Sequence, residues 1–126
     1  MDIVNRNAVT AFTTKDTSTI REILAPRNSC IQRQSLAEAT LPPGGMTQAH
    51  YHPNTEEIYY ILSGSARMKV EGNEQDVAPA DGIAIPAGLK HQIQNTGQTD
   101  LVFLCCCVPA YEDSDTVMCE SLFAET

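Results

Sequence analysis

The chain has no tryptophan and only three histidines among its 126 residues. Basic residues are scarce as well: eight Lys and Arg stand against 16 Asp and Glu, for a formal net charge of −8. That balance gives no basic face for a phosphate backbone and no attraction to anionic lipid, so neither nucleic acid nor a membrane is expected as a partner. No apolar run approaches the ~20 residues of a membrane-spanning helix. The opening Met1-Asp2-Ile3-Val4-Asn5 lacks the charged and apolar regions of a secretion signal. A disulfide framework is missing too. The cysteines, Cys30, Cys105, Cys106, Cys107 and Cys119, are odd in number with three adjacent. Their spacing is not that of the separated pairs of a zinc ribbon. Free thiols suit a reducing compartment, and the cytoplasm is the expected location. There is no internal repeat, low-complexity segment or linker, and the length fits one domain.

What the chain does have is concentrated between Gly44 and Gly64. His50 and His52 are two apart, and in a strand residues i and i+2 project to the same face. Pro53-Asn54-Thr55 is a turn signal, after which Glu57 opens the apolar, aromatic run Ile58-Tyr59-Tyr60-Ile61-Leu62 of a second strand. Further on, Pro86-Ala87-Gly88-Leu89-Lys90 leads into His91 at the start of another strand, to Asn95. Every histidine of the chain thus falls in one constellation. Three imidazoles and a carboxylate make a metal site of the kind that Fe, Mn, Ni, Cu and Zn all accept, with room for water, dioxygen or a chelating molecule. The bland alternative, a metal-free polar core cluster, buries four polar groups that each need pairing. Glu56 competes with Glu57 as the carboxylate, but it sits one residue out of phase.

These residues carry a resemblance. The spacing Gly44, His50-x-His52, Glu57, Gly64 resembles the first motif of the cupin superfamily, and Pro86-x-Gly88, His91, Asn95 resembles the second. One position departs: the family usually has Gly six residues before the Pro, where this chain has Ala80. The resemblance implies an all-β single domain, a double-stranded β-helix or jelly-roll-like barrel. It divides residues 1–126 into an N-terminal arm (1–28), a barrel core (29–109, with motifs at 44–64 and 80–95) and a C-terminal tail (110–126). It also implies the metal ligands His50, His52, Glu57 and His91.

Hydrophobic patterning fills in the rest. Ile20 to Leu24 reads as an extended arm beside the barrel, since Pro26 leaves little room for a helix capped by Thr19. Ser29 to Leu41 is a strand candidate ended by Pro42-Pro43-Gly44-Gly45. Ala66, Met68 and Val70 alternate with Arg67 and Lys69, the pattern of a half-buried strand. Gly72-Asn73-Glu74 is expected to turn it back. Leu101 to Val108 is continuously apolar, so a strand covered on both sides is expected, ended by Pro109. The tail is acidic with scattered apolar residues, free to cover the barrel or cross to a neighbour.

Period 2 also proposes a pocket. Gln48 shares the parity of His50, and Tyr59 that of Glu57; Ile61, Met68 and Ile93 are candidate walls. In Cys105-Cys106-Cys107, a buried Cys is usually a small hydrophobe. Resemblance to small manganese- or iron-binding monocupins favours Cys106 facing inward. Three functions follow. One is a metal-dependent enzyme, with dioxygenase-like oxidation of a small organic molecule. Another is a non-redox isomerase or lyase on a sugar acid or similar compound, with Tyr59 the candidate catalytic base. The last is a non-catalytic small-molecule binder. Phosphosugars are disfavoured, because only Arg33 could reach such a pocket. A homodimer is expected from the arm, the edge strands of a short barrel and the apolar tail residues Val117, Met118, Leu122 and Phe123.

Overall fold

The computed structural model describes residues 1–123. In chain order its strands are β1 (Phe12–Thr13), β2 (Thr19–Leu24), β3 (Ser35–Leu41), β4 (His50–Tyr51), β5 (Glu56–Ser63), β6 (Ala66–Val70), β7 (Asn73–Val77), β8 (Gly82–Ile85), β9 (His91–Asn95), β10 (Leu101–Val108) and β11 (Val117–Met118). They form two antiparallel sheets, β1-β2-β3-β10-β5-β8 and β11-β4-β9-β6-β7, the jelly-roll arrangement of a cupin barrel. No helix among the described residues is long and apolar enough to cross a membrane.

Alternation in β5 sets the interior. Glu57, Tyr59 and Ile61 are buried while Glu56, Ile58, Tyr60 and Leu62 are exposed. β10 runs antiparallel beside it with Phe103 opposite Ile61, Cys105 opposite Tyr59 and Cys107 opposite Glu57. Facing them, β6 and β9 supply Met68 and Ile93, which pair across the other sheet. Together with Leu41, Ile85 and Leu101 these make the apolar core.

Segments on either side of residues 29–109 are built into the barrel. The arm is not an appendage, because β2 pairs with β3 from Thr19 opposite Thr40 to Leu24 opposite Leu36, with one shift of register between Glu22 and Leu24. β3 itself begins only at Ser35, later than the Ser29 expected, while β2 and β11, both outside residues 29–109, pair into the two sheets. The tail folds back through a 3₁₀ turn at Asp113–Asp115, and β11 pairs with β4, Val117 opposite Tyr51 and Met118 opposite His50. Residues 124–126 of the tail lie outside the described residues.

Two turns differ from expectation in instructive ways. The β6–β7 hairpin turns at Glu71-Gly72 rather than Gly72-Asn73-Glu74, since Asn73 already pairs with Val70. Glu71 takes φ +50°, as the first position of a two-residue hairpin of right-handed twist requires. Gly64 has φ +89°, and a Cβ there would stand 2.8 Å from the Asp100 carbonyl oxygen, so no side chain fits. Ala80, where the family usually has glycine, also has φ +74°. Its amide is held by the Ile61 carbonyl at 2.9 Å. A left-handed L-residue costs roughly 1–2 kcal/mol, partly offset by the extra unfolded-state entropy of glycine. Ala80→Gly is therefore expected to stabilise the fold by about 0.5–1 kcal/mol. Thermal unfolding checks it, and an unchanged or lowered midpoint would show the strain to be relieved elsewhere.

Candidate metal centre

Two short strands of one sheet, and the turn that follows the first, present the three imidazoles. His50 opens β4 and pairs directly with His91, the first residue of β9. His52 follows β4 at the start of the Pro53-Asn54 turn. The opposite sheet contributes Glu57 from β5. All four side chains are buried. One ring nitrogen from each histidine lies within 4.8 Å of those of the other two. The His50 ring meets those of His52 and His91 edge to face, with His50 and His91 centroids 4.4 Å apart.

The other ring nitrogens are all spoken for. His50 Nδ1 sits 2.8 Å from the Gln48 carbonyl oxygen, His91 Nδ1 3.0 Å from that of Leu89, and His52 Nδ1 3.1 Å from that of Asp115. A carbonyl oxygen can only accept, so each Nδ1 carries the hydrogen and each Nε2 presents a lone pair. The three lone pairs face one interior point. Glu57 Oε1 lies 3.3 Å from His52 Nε2 and 3.4 Å from His91 Nε2. Yet among the described residues Glu57 Oε1 and His91 Nε2 are buried with no hydrogen-bond partner. Leaving such groups orphaned costs about 1–3 kcal/mol each. A cation shared by the imidazoles and the carboxylate satisfies all of them, so the donor set fits a divalent metal.

Charge is organised around the same point. Burial alone would raise the Glu57 carboxyl, but His52 and His91 outweigh it and hold the carboxyl far below the usual range. Burial pulls His50 down, and neighbouring His91 adds to this, favouring the neutral ring. Burial also pulls on His52, but Glu57 and the Asp115 carbonyl more than compensate and its pKa is raised. Tyr59, its ring 4.7 Å from Phe103, is pushed well above the phenol range by burial and by the Glu57 charge. Cys107 donates its thiol hydrogen to Glu57 Oε2 at 3.2 Å, and burial followed by that same charge keeps the thiol protonated.

A narrow cavity of about 40 Å³ opens onto His50, His52 and Glu57. Tyr59, Phe103, Cys105 and Cys107 form its deep wall, and Asp16, Glu22 and Tyr111 lie around the rest. Several expected pocket residues are elsewhere. Gln48 is exposed. β4 is only two residues long, so strand parity does not reach back to position 48, and Gln48 serves the site through its carbonyl. Ile61, Met68 and Ile93 are buried in the core and do not line this cavity. Cys106 pairs with Ile58 on the outward face of its sheet, and the inward positions are Cys105 and Cys107. An apolar run on both parities gave the sequence no way to phase this strand. Glu56 is exposed.

Residues not anticipated complete the site. Asp115 fixes the ligand loop: its carbonyl takes His52 Nδ1–H, and its carboxylate accepts from the Asn54 and Thr55 amides at 3.2 and 3.1 Å. The Thr116 hydroxyl is 3.3 Å from the same His52 nitrogen. Asp16 places Oδ2 3.8 Å from His50 Nε2. No local pattern marks either aspartate, because both arrive through long-range packing.

A two-sheet barrel with a buried three-histidine group is the metal-binding site of a cupin. The family model described as a cupin domain matches residues 37–107, and the chain belongs to that family. It is 43% identical over 109 residues to an uncharacterised protein of Methanocaldococcus jannaschii, covering 86% of this chain and 87% of that protein. It is 40% identical over 68 residues to an oxalate-binding protein of Thermotoga maritima, covering 54% of this chain and only 56% of that protein. Among solved structures it is similar to a predicted oxalate decarboxylase of Thermotoga maritima, with TM-score 0.76 and 26% identity, covering 86% of this chain and 99% of that one.

Proposed function

We propose that His50, His52, His91 and Glu57 hold one divalent transition-metal ion, and that the chain is an enzyme using it on a small organic molecule, with dioxygenase-like oxidation as the reaction. The observation that carries this reading is the set of three Nδ1–H bonds to backbone carbonyls, which turns three Nε2 atoms onto one point. Fe, Mn, Ni, Cu and Zn all accept such ligands. When bound, the ion supplies a Lewis acid and, if redox-active, a template for dioxygen. The protein's part is positioning and exclusion. Phe103 and Tyr59 close the floor, and the narrow cavity admits only a small molecule beside the ligands. Tyr59 holds its proton at neutral pH, so it suits donating a hydrogen bond rather than acting as a base.

Two other readings draw on the relatives. The similarity to a predicted oxalate decarboxylase favours a non-oxidative lyase or isomerase. The similarity to an oxalate-binding protein favours a carrier that does no chemistry. Metal-loaded protein incubated with candidate substrates, with dioxygen followed at an electrode, separates the three. Substrate-dependent uptake is expected. Turnover without uptake would replace oxidation by the lyase or isomerase reading, and saturable binding without turnover would leave a carrier. The free cysteines support a reducing compartment such as the cytoplasm.

A homodimer belongs to the same reading. Tail residue Met118 is engaged within the chain's own sheet, so it no longer argues for a partner. The outward face of β5 and β10 does: Ile58, Tyr60, Leu62 and Val108 are exposed there side by side. A contiguous apolar face of this kind is commonly covered, and a second copy under two-fold symmetry covers it with itself. Sedimentation at micromolar concentration is expected to show a species of twice 13.7 kDa, and Tyr60→Lys to dissociate it. A wild-type monomer would remove the proposal.

A further inference from the structure

Asp16 is not among the proposed metal ligands, yet its carboxylate is held firmly at the cavity. Its carboxylate is mostly buried, with 14% of the side chain exposed. Oδ1 accepts three hydrogen bonds, from the Thr14 hydroxyl at 2.6 Å, the Ser18 amide at 3.0 Å and the Ser18 hydroxyl at 2.6 Å. The Gln48 amide donates to the Asp16 carbonyl at 2.7 Å, tying this loop to the segment that leads into His50. Oδ2 is left facing the cavity, beside the metal-facing nitrogen of His50. One oxygen is clamped by neutral donors and the other is aimed at the place where a metal-bound molecule must sit.

The charges of the walls give this carboxylate a consequence. The residues lining the cavity include Asp16, Glu22 and Glu57, and none is Lys or Arg. Glu22 is neutralised by Arg27, whose Nε lies 2.6 Å from its carboxylate. Asp16 is not paired with a cation among the described residues. Glu57 and Asp16 together cancel both charges of a divalent ion, so the loaded site is already neutral. A dianion entering it would leave two uncompensated negative charges in a buried space, which is strongly unfavourable. An uncharged chelator with an O–H or N–H beside its metal-binding oxygen meets no such penalty and gives Oδ2 the donor it lacks.

Resting on the metal site proposed above, we infer that Asp16 is a specificity residue: it selects an uncharged chelating substrate that donates a hydrogen bond, and it disfavours dicarboxylate dianions such as oxalate. The chain would then differ in ligand from the relatives whose names carry oxalate.

The test uses Mn(II)-loaded protein titrated calorimetrically with oxalate and with glycolamide, an uncharged molecule of similar size carrying O–H and N–H donors. Asp16→Asn is expected to bind oxalate about tenfold more tightly and glycolamide about tenfold more weakly, the scale of one hydrogen bond to a charged group. A merely structural lesion would move both affinities the same way. Shifts of the same sign, or no shift at full metal content, overturn the role of Asp16. The wild-type protein supplies a measurement that needs no variant: oxalate should bind the loaded site no more tightly than it binds aqueous Mn(II), and tighter binding overturns the proposal. Metal content below one per chain in wild-type protein would overturn the metal reading itself and this inference with it.

Discussion

Replacing His52 by Ala is expected to lower bound metal far below one ion per chain. His52 is one of only three imidazoles, and its loss leaves His50, His91 and Glu57 around a gap at the edge of the cavity. Losing even a group that merely orients a ligand typically costs 10–100-fold in metal affinity, and removing the ligand costs more. The fold itself should survive, because His52 lies just outside β4 and contributes no ladder hydrogen bond to either sheet. Elemental analysis of protein purified without chelators or nickel resin is the direct measurement, with circular dichroism as the check on folding. Full occupancy in the variant would show the metal to be held elsewhere. The same chemistry fixes a pH dependence. The ion binds neutral imidazole, so acid competes with it, and affinity should fall as the pH drops below the ordinary histidine value of ~6.5.

A second large effect separates two adjacent carboxylates. Glu57→Gln keeps the shape of the side chain but removes the only anionic group among the proposed ligands. Metal affinity should fall by at least ~10–100-fold, the scale of weaker perturbations around metal sites. It also leaves the Cys107 thiol without its charged acceptor, now 3.2 Å away. Glu56→Gln, by contrast, changes an exposed residue on the opposite face of β5 and should alter stability by less than ~0.5 kcal/mol and metal affinity hardly at all. Competition titrations with a metal-sensing dye measure both variants side by side. Equal losses would mean that the turn before β5 can present either carboxylate.

The contrast between these glutamates was legible in the sequence because β5 is long, alternating and buried on one face, so parity had eight residues over which to act. The same holds for β6, where Ala66 and Met68 turned inward as their spacing required. Legibility failed where that condition failed. β4 is too short to carry phase back to Gln48, and β10 is apolar on both faces, so its cysteines could be phased only by the partner strand that sets Cys107 opposite Glu57. Asp16 and Asp115 were invisible for a different reason. Each reaches the histidines from a distant part of the chain, and a single sequence does not say which loops will meet. The candidate ligands stand in the motifs, while the groups that orient and surround them are products of tertiary packing.

That packing has a thermodynamic corollary at the C-terminal tail. The carbonyl that fixes the tautomer of His52 belongs to Asp115, and the same residue clamps the backbone of Asn54 and Thr55. Capture of the ion and docking of the tail therefore share one free energy. Whatever factor the docked tail adds to metal affinity, the bound metal must return as resistance of the tail to detachment, because coupling between two binding equilibria is reciprocal. Metal-loaded protein should accordingly protect the amides around Asp115 from exchange with solvent, and a partner or protease that draws the tail away would act, from more than sixty residues along the chain, as a chelator.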